Sequence, residues 1–313
     1  MRYLVTGGAG FIGSHTAEAL VAQGEEVVVV DNLETGDLSN LENIKDRIQF
    51  ENESILDLDF MRHILKDIDF VIHLAGYASV NASMLDPLFT HRINIQGSLN
   101  VLKIATESQR IKRLVFASSA AIHGNSPDSK QALSPYALEK QTIEAYAELF
   151  HRIYGLSSVG LRYFNVYGSR QRINGGYSSV ISRFMQAALE DKPISIFGDG
   201  LQTRDFVHVR DIARANIMAC LSTSPEIGGK SFDIGTDKAT SVLDAARAIR
   251  ELIKSNVPLV FNPIRQGDIS HSCADLRQAS SFLGYQPMTS LEEGLTELLE
   301  WTRYFEAPTP PPE

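Results

Sequence analysis

Cysteine is scarce: Cys220 and Cys273 are the two in 313 residues, far apart and in no CxxC arrangement. A disulfide framework is excluded as an organising principle, and two ordinary thiols in a reducing compartment are expected. Basic residues are also short. Lys and Arg number 29 against 38 Asp and Glu, a net charge of −9. The chain therefore has no overall attraction for nucleic acid or an anionic membrane. No apolar run approaches ~18 residues, which excludes a transmembrane helix. The start, MRYLVTGGAG, enters a strand-and-turn pattern at once and leaves no room for a signal peptide, so a cytoplasmic protein is expected. His73, His123, His208 and His271 lack metal-ligand spacing, and structural roles and no metal are expected of them. There is no internal repeat, no G-x-S-x-G elbow and no Walker lysine.

What is present is ample apolar material in an alternating pattern. Hydrophobic residues make up 43% of the chain, enough for one large or two modest cores. YLVT (3–6) and VVVV (27–30) flank a helical stretch from Phe11 to Gln23, with Gly24 placed to end the helix. The pattern recurs. Strands are predicted at Phe70–Leu74, Leu114–Ser118 and Ser158–Arg162, and helices at Asn94–Ser108 and Pro135–Tyr154. Strands apolar at nearly every position are buried on both faces. The expected fold is an α/β, Rossmann-type doubly wound parallel sheet. The second half mixes short strands (193–200, 204–211) with helices at 178–190, 211–222 and 241–254. It reads as a smaller α/β substrate-binding lobe. Residues 1–163 are assigned to a dinucleotide-binding domain, to which about 206–235 return, and 164–306 mainly to the lobe. The tail 307–313 is Pro-rich.

Gly7-x-x-Gly10-x-x-Gly13 falls between the first strand and the first helix. Glycine is needed where the chain turns tightly and a pyrophosphate approaches the main chain, and the helix start aims amide groups at phosphate oxygens. Asp31, after the second strand, suits ribose hydroxyls and repels a 2′-phosphate, which favours NAD over NADP. Tyr136 and Lys140 lie four apart in SPYALEK, on one helical face, with Ser134 and Pro135 suited to its start. A free phenol titrates near ~10; a neighbouring ammonium and an oxidised nicotinamide both favour its phenolate. Such a pair is common on solvated helices. Ser119 shifts the balance, because it ends LVFASS at the carboxyl edge of a strand, where doubly wound sheets place ligands.

These features, with TGGAGFIGSH, DNLETG, FASSAAIHG and LRYFNVYGSRQ, resemble the extended, nucleotide-sugar-modifying branch of the short-chain dehydrogenase/reductase superfamily, over about residues 1–303. The resemblance implies catalytic roles for Ser119, Tyr136 and Lys140. It implies NAD contacts at Gly7, Gly10, Phe11, Ile12, Asp31, Asn32, Ser54, Ile55, Leu74, Ala75, Gly76, Asn94, Ala117 and Ser118, and at Tyr136, Lys140, Tyr163 and Val166. For a UDP-sugar it implies Ser79, Ser119, Tyr136, Asn165, Gln171, Ser179, Val180, Ser195, Phe197, Arg204, Arg265, Asp268 and Ser272. Arg204 and Arg265 match arginines on the UDP diphosphate, and Asp268 a carboxylate on the uridine ribose. A homodimer through the helices including 95–108 and 136–154 is also implied.

Some residues narrow the reaction. Dehydratases of this branch place an Asp-Glu pair just after the catalytic hydroxyl residue; here Ala120 and Ala121 stand there. Elimination of water is disfavoured and C4 epimerisation of a UDP-hexose favoured. Ser272 stands where relatives limited to plain hexoses carry a bulky residue, so UDP-GlcNAc and UDP-GalNAc are expected substrates, with UDP-glucose and UDP-galactose also accommodated. Epimerisation of another nucleotide sugar, such as UDP-glucuronate, a keto-sugar reductase and a non-catalytic NAD-binding module are the competing readings. Three departures are plain. The segment 125–133 is shortened, His123 replaces a usual tyrosine, and Ser54 replaces an aspartate that often faces adenine.

Overall fold

The computed structural model of the chain describes residues 1–124, 132–171, 179–264 and 269–305. Six consecutive strands, β1 (Arg2–Thr6), β2 (Glu26–Val30), β3 (Ile48–Glu51), β4 (Phe70–His73), β5 (Arg113–Ser119) and β6 (Ser158–Tyr163), are joined by the edge strand Lys230–Ile234. Their order from that edge is Lys230–Ile234, β6, β5, β4, β1, β2, β3, and every pairing is parallel. The winding reverses between β1 and β4. That is the switch point at which doubly wound sheets open a ligand crevice.

The strands form because their side chains have apolar neighbours on both sides. Leu4, Val5, Val29 and Ile72 have essentially no exposed surface, and β-branched residues pack well on a pleated surface. One face is covered by the helices Phe11–Ala22 and Val209–Leu221, through Ala17, Leu20, Ile212 and Ala215. The other is covered by Leu58–Ile64, Ser98–Glu107 and Pro135–Tyr154, through Met61, Leu102 and Ile143. A separate core gathers the helices Val180–Leu189, Val242–Ile253 and Leu291–Phe305 around the parallel pair Ile194–Phe197 and Leu259–Asn262. The architecture is the expected Rossmann-type α/β fold.

Three elements differ from the sequence reading. The helix expected from Asn94 begins at Ser98, after a π-helical turn over Arg92–Gly97. Gly97 ends that turn close to another segment: a Cβ there would lie 2.4 Å from Ile55 Cδ1. The wider turn also swings Asn94 inward, and hydrophobic periodicity does not register one inserted residue. β3 is a half-buried edge strand with weak alternation, and Lys230–Ile234 carries charge at two of its five positions; neither offered a clear apolar run. Among the described residues no helix is long and apolar enough to cross a membrane, and no cluster of metal-ligating side chains forms.

Candidate active site

The glycine turn leads from β1 straight into the helix Phe11–Ala22. Gly10 is its N-cap and supplies no side-chain cap bond, leaving the first-turn amides aimed outward, as an anion requires. Gly7 has φ of 69°, and a Cβ on it would sit 2.7 Å from the Ala75 nitrogen, on the loop after β4. A Cβ on Gly13 would fall 2.1 Å from the Gly7 carbonyl oxygen. The loops after β1 and β4 thus meet backbone to backbone at the switch point. Only glycine permits that closeness.

Asp31 follows β2 and is buried. One carboxylate oxygen accepts from the Ala9 amide at 3.0 Å and the other from the Leu33 amide at 2.9 Å. Burial pushes its pKa up, opposed by those two bonds. A carboxylate desolvated this far and still holding spare lone pairs suits the two hydroxyls of a ribose. The glycine cradle, the uncapped helix start and this acid together fit a dinucleotide.

The expected catalytic residues gather at the carboxyl end of β5. Ser119 is its last residue, and its hydroxyl oxygen accepts from the Ala121 amide at 3.2 Å. Tyr136 stands in the first turn of the helix Pro135–Tyr154, where Ser134 caps by accepting from the Ala137 amide and Pro135 occupies the first position. The main-chain N–H of Tyr136 donates to Ser83 Oγ at 3.1 Å. Lys140 Nζ donates to the Ala117 carbonyl at 2.8 Å, two residues before Ser119, and lies 5.7 Å from the Tyr136 ring centre. Tyr136 and Lys140 are only 9% and 8% exposed, so the ammonium acts where water screens little. Burial lowers the Lys140 pKa to about 8, while the negative charges of Glu139 and Glu144 oppose the drop.

Other expected residues divide between those whose side chains face the site and those already engaged. Asn94 accepts from the Tyr77 amide at 2.7 Å and holds the loop that carries Leu74, Ala75 and Gly76. The hydroxyl of Ser118 donates to Glu144, which also receives both arms of Arg162. The phenol of Tyr163 donates to Asn216 at 2.6 Å inside the core, and its main chain lies beside Ser119 in the sheet. Ser79 and Ser179 cap helices through the Ala82 and Ser182 amides. Gln171 is buried, donating to the Val166 carbonyl and accepting from Ser182. Ser54 accepts from the Leu56 amide, Ile55 is buried beneath Gly97, and Asn32 bonds the exposed Glu34.

In the second lobe, Arg204 donates to the Thr203 and Ile269 carbonyls at 2.8 and 2.6 Å, and the Ser272 amide donates to the Thr203 carbonyl. The segment carrying Arg204 and the segment carrying Ser272 are thereby held together. Asp205 anchors the same corner by accepting from Thr236, Asp237 and Ala274 amides. Ser195 is exposed on the strand Ile194–Phe197, and Phe197 and Val180 are half-buried. Arg265 and Asp268 lie outside the described residues.

Sequence reasoning passed over Glu139. It lies three residues after Tyr136 on the buried face that also holds Lys140, Ile143 and Ala147. An acid at an inward helical position was a readable signal.

A parallel sheet with a glycine turn at its switch point, and Ser, Tyr and Lys at its carboxyl edge, defines a nicotinamide-dinucleotide enzyme of the short-chain type. Residues 3–235 match the NAD dependent epimerase/dehydratase family, and the chain belongs to it. It is 36% identical to the UDP-glucose 4-epimerase of Thermotoga maritima, solved with UDP-glucose, at a TM-score of 0.91 over 98% of this chain and 100% of that one. It is also 36% identical to the UDP-N-acetylglucosamine 4-epimerase of Methanobrevibacter ruminantium, solved with UDP-N-acetylmuramic acid, at a TM-score of 0.91 over 97% and 98% of the two chains. A UDP-glucose 4-epimerase of Mycolicibacterium smegmatis is 33% identical over 97% of this chain and 99% of its own length.

Proposed function

We propose that the protein reversibly inverts C4 of a UDP-hexose, with UDP-GlcNAc and UDP-GalNAc as the preferred pair. The observation that carries this reading is the Lys140–Ala117 contact, which brings the Tyr136 helix to the end of β5 beside Ser119, which is followed by Ala120 and Ala121 where dehydratases carry acids. The two acids on that helix nearest Lys140 are committed elsewhere. Glu139 accepts from Thr90 and Asn94, and Glu144 from Ser118 and Arg162. Neither is placed to protonate a departing hydroxyl, which favours epimerisation over dehydration.

NAD, held at the glycine turn and Asp31, supplies an acceptor and donor of hydride at C4. The residues of the chain do the rest. Tyr136 as phenolate takes the C4 hydroxyl proton, Ser119 orients that oxygen, and Lys140 stabilises the phenolate through its charge. The resulting 4-keto sugar turns about its link to the diphosphate, and Tyr136 returns the proton on the other face. Arg204, with Arg265, grips the diphosphate, since a guanidinium fork suits phosphate oxygens. Asp268 takes the uridine ribose. A small side chain at Ser272, tied to the Arg204 segment, leaves room for an acetamido group.

The same reading includes a homodimer through the helices that include 95–108 and 136–154. Leu138, Ile153 and Tyr154 on the helix Pro135–Tyr154, and Leu85 and Leu88 beside it, are all more than half exposed. Apolar surface on adjoining helices of this size suits a self-complementary interface. Free Cys220 and Cys273 suit a cytoplasmic setting. The test is incubation with each UDP-hexose without reductant, followed by separation of C4 epimers. Interconversion, fastest for the acetylated pair, is expected; steady consumption of added NADH would instead indicate a reductase.

A further inference from the structure

Glu139 is a buried carboxylate for which the proposed chemistry has no task. It is 5% exposed, and each of its oxygens is taken by a different neighbour. Thr90 Oγ1, on the helix Pro87–His91, donates to one at 2.7 Å, and Asn94 Nδ2, in the π-helical turn, donates to the other at 2.6 Å. The connection continues beyond Asn94. Its side chain accepts from the Tyr77 amide at 2.7 Å and donates to the Tyr77 carbonyl at 3.2 Å. Gly76 lies so near that a Cβ on it would be 3.0 Å from Asn94 Oδ1. The Tyr77 ring in turn meets Phe89 edge-on at 5.2 Å. An unbroken series of short polar contacts therefore runs from the residue before Lys140 to the loop that closes against Gly7.

We infer that Glu139 is a positioning residue whose carboxylate, acting through the Asn94 amide, sets the register between the Tyr136–Lys140 turn and the Gly76–Tyr77 loop of the cofactor crevice. The physical reasons are direct. The Asn94 amide needs an acceptor oxygen at this point, and the length of the Glu139 side chain brings one to 2.6 Å. In a buried site, losing it leaves Asn94 Nδ2 with an unmet donor. Asn94 is buried within the π turn, and its side chain meets Glu139 from there. Reacting atoms tolerate little misplacement, so a shift of the loop relative to the helix registers in turnover.

Two near-isosteric variants separate reach from charge. Glu139→Gln keeps an oxygen within reach of Asn94 but removes the charge. Glu139→Asp keeps the charge but withdraws it by about one C–C bond, roughly 1.5 Å. Each is measured at neutral pH, first for NAD affinity of the stripped protein by calorimetry and then for kcat and KM of epimerisation. For Glu139→Asp we expect NAD affinity about tenfold weaker and kcat about tenfold lower, with KM for the UDP-sugar nearly unchanged. Glu139→Gln should stay within about threefold of the parent in both. Parent-like NAD affinity and kcat in Glu139→Asp, or equal impairment of the two variants, would overturn the inference. The turnover arm rests on the epimerase reading; the NAD arm does not. A parent protein that binds NAD but epimerises nothing defeats that reading and leaves the affinity comparison to decide the role of Glu139.

Discussion

Lys140 reaches across from its helix to the Ala117 carbonyl, 2.8 Å away, and that bond fixes where the first turn of the helix meets the end of β5. The same bond holds an ammonium in a site with almost no water. The charge is useful to a phenolate and costly to the fold.

The cost is measurable. Burial lowers the Lys140 pKa from 10.5 to about 8, despite Glu139 and Glu144 on its own helix; His73, facing it from β4, is itself held neutral by burial. The difference corresponds to ~3 kcal/mol, and an orphaned Ala117 carbonyl would take back ~1 kcal/mol. Lys140→Met should therefore stabilise the protein by about 2 kcal/mol at pH 7 while abolishing turnover. The sign follows from proton linkage. Below pH 8 both folded and unfolded chains hold the proton, and the penalty is complete. Between about 8 and 10.5 the unfolded chain binds more protons, so the parent gains stability as pH rises and the gap to the variant closes. Urea unfolding at pH 7 and pH 10 checks both.

Tyr136→Phe should keep NAD and the fold, since its main-chain N–H still donates to Ser83. It should lose turnover by ~10²–10⁴-fold, the range for removing a general base. Steady-state rates beside NAD content of the purified protein provide the comparison.

Asp31→Asn should weaken NAD binding by about tenfold, because bonds from ribose hydroxyls to a charged acceptor contribute ~1.5–3 kcal/mol. It should also narrow the preference against NADP, by removing the charge that repels a 2′-phosphate. Calorimetric titration of the stripped protein with each nucleotide tests this.

Gly13→Ala places a methyl 2.1 Å from the Gly7 carbonyl oxygen, on backbone that cannot yield without moving the whole turn. A loss of ~1–3 kcal/mol in stability is expected, with NAD retention reduced in step. Thermal unfolding with and without NAD reads the two effects separately.

Ser272→Tyr tests substrate size. Turnover of UDP-GlcNAc should fall about tenfold or more while that of UDP-glucose stays close to parental, since a few atoms of clash discriminate at this scale. Equal effects on both sugars would remove the size argument.

The legible part of this protein was the part written in local chemistry. Gly7, Gly10 and Gly13 announced a turn that only glycine could make, and SPYALEK announced a helix start with Tyr136 and Lys140 on one face. Less legible were features that arise from tertiary contact. The π turn at Arg92–Gly97 packs close to Ile55, more than thirty residues earlier, and nothing in the local pattern reports it. The bond from the Tyr163 phenol to Asn216, on a helix from much later in the chain, is likewise absent from any local pattern. The inward position of Glu139 was readable, but its partners were hidden for a related reason: Thr90 and Asn94 come from a stretch whose helical breaks were not apparent.

The most direct test follows the hydrogen on C4. UDP-GlcNAc carrying deuterium at C4 is incubated with the NAD-loaded protein in ordinary water without added NADH, and both epimers are analysed by mass spectrometry and NMR. Internal hydride return predicts UDP-GalNAc with its deuterium still on C4 and no solvent proton there. Solvent hydrogen at C4, or an absolute requirement for stoichiometric reductant, would contradict it.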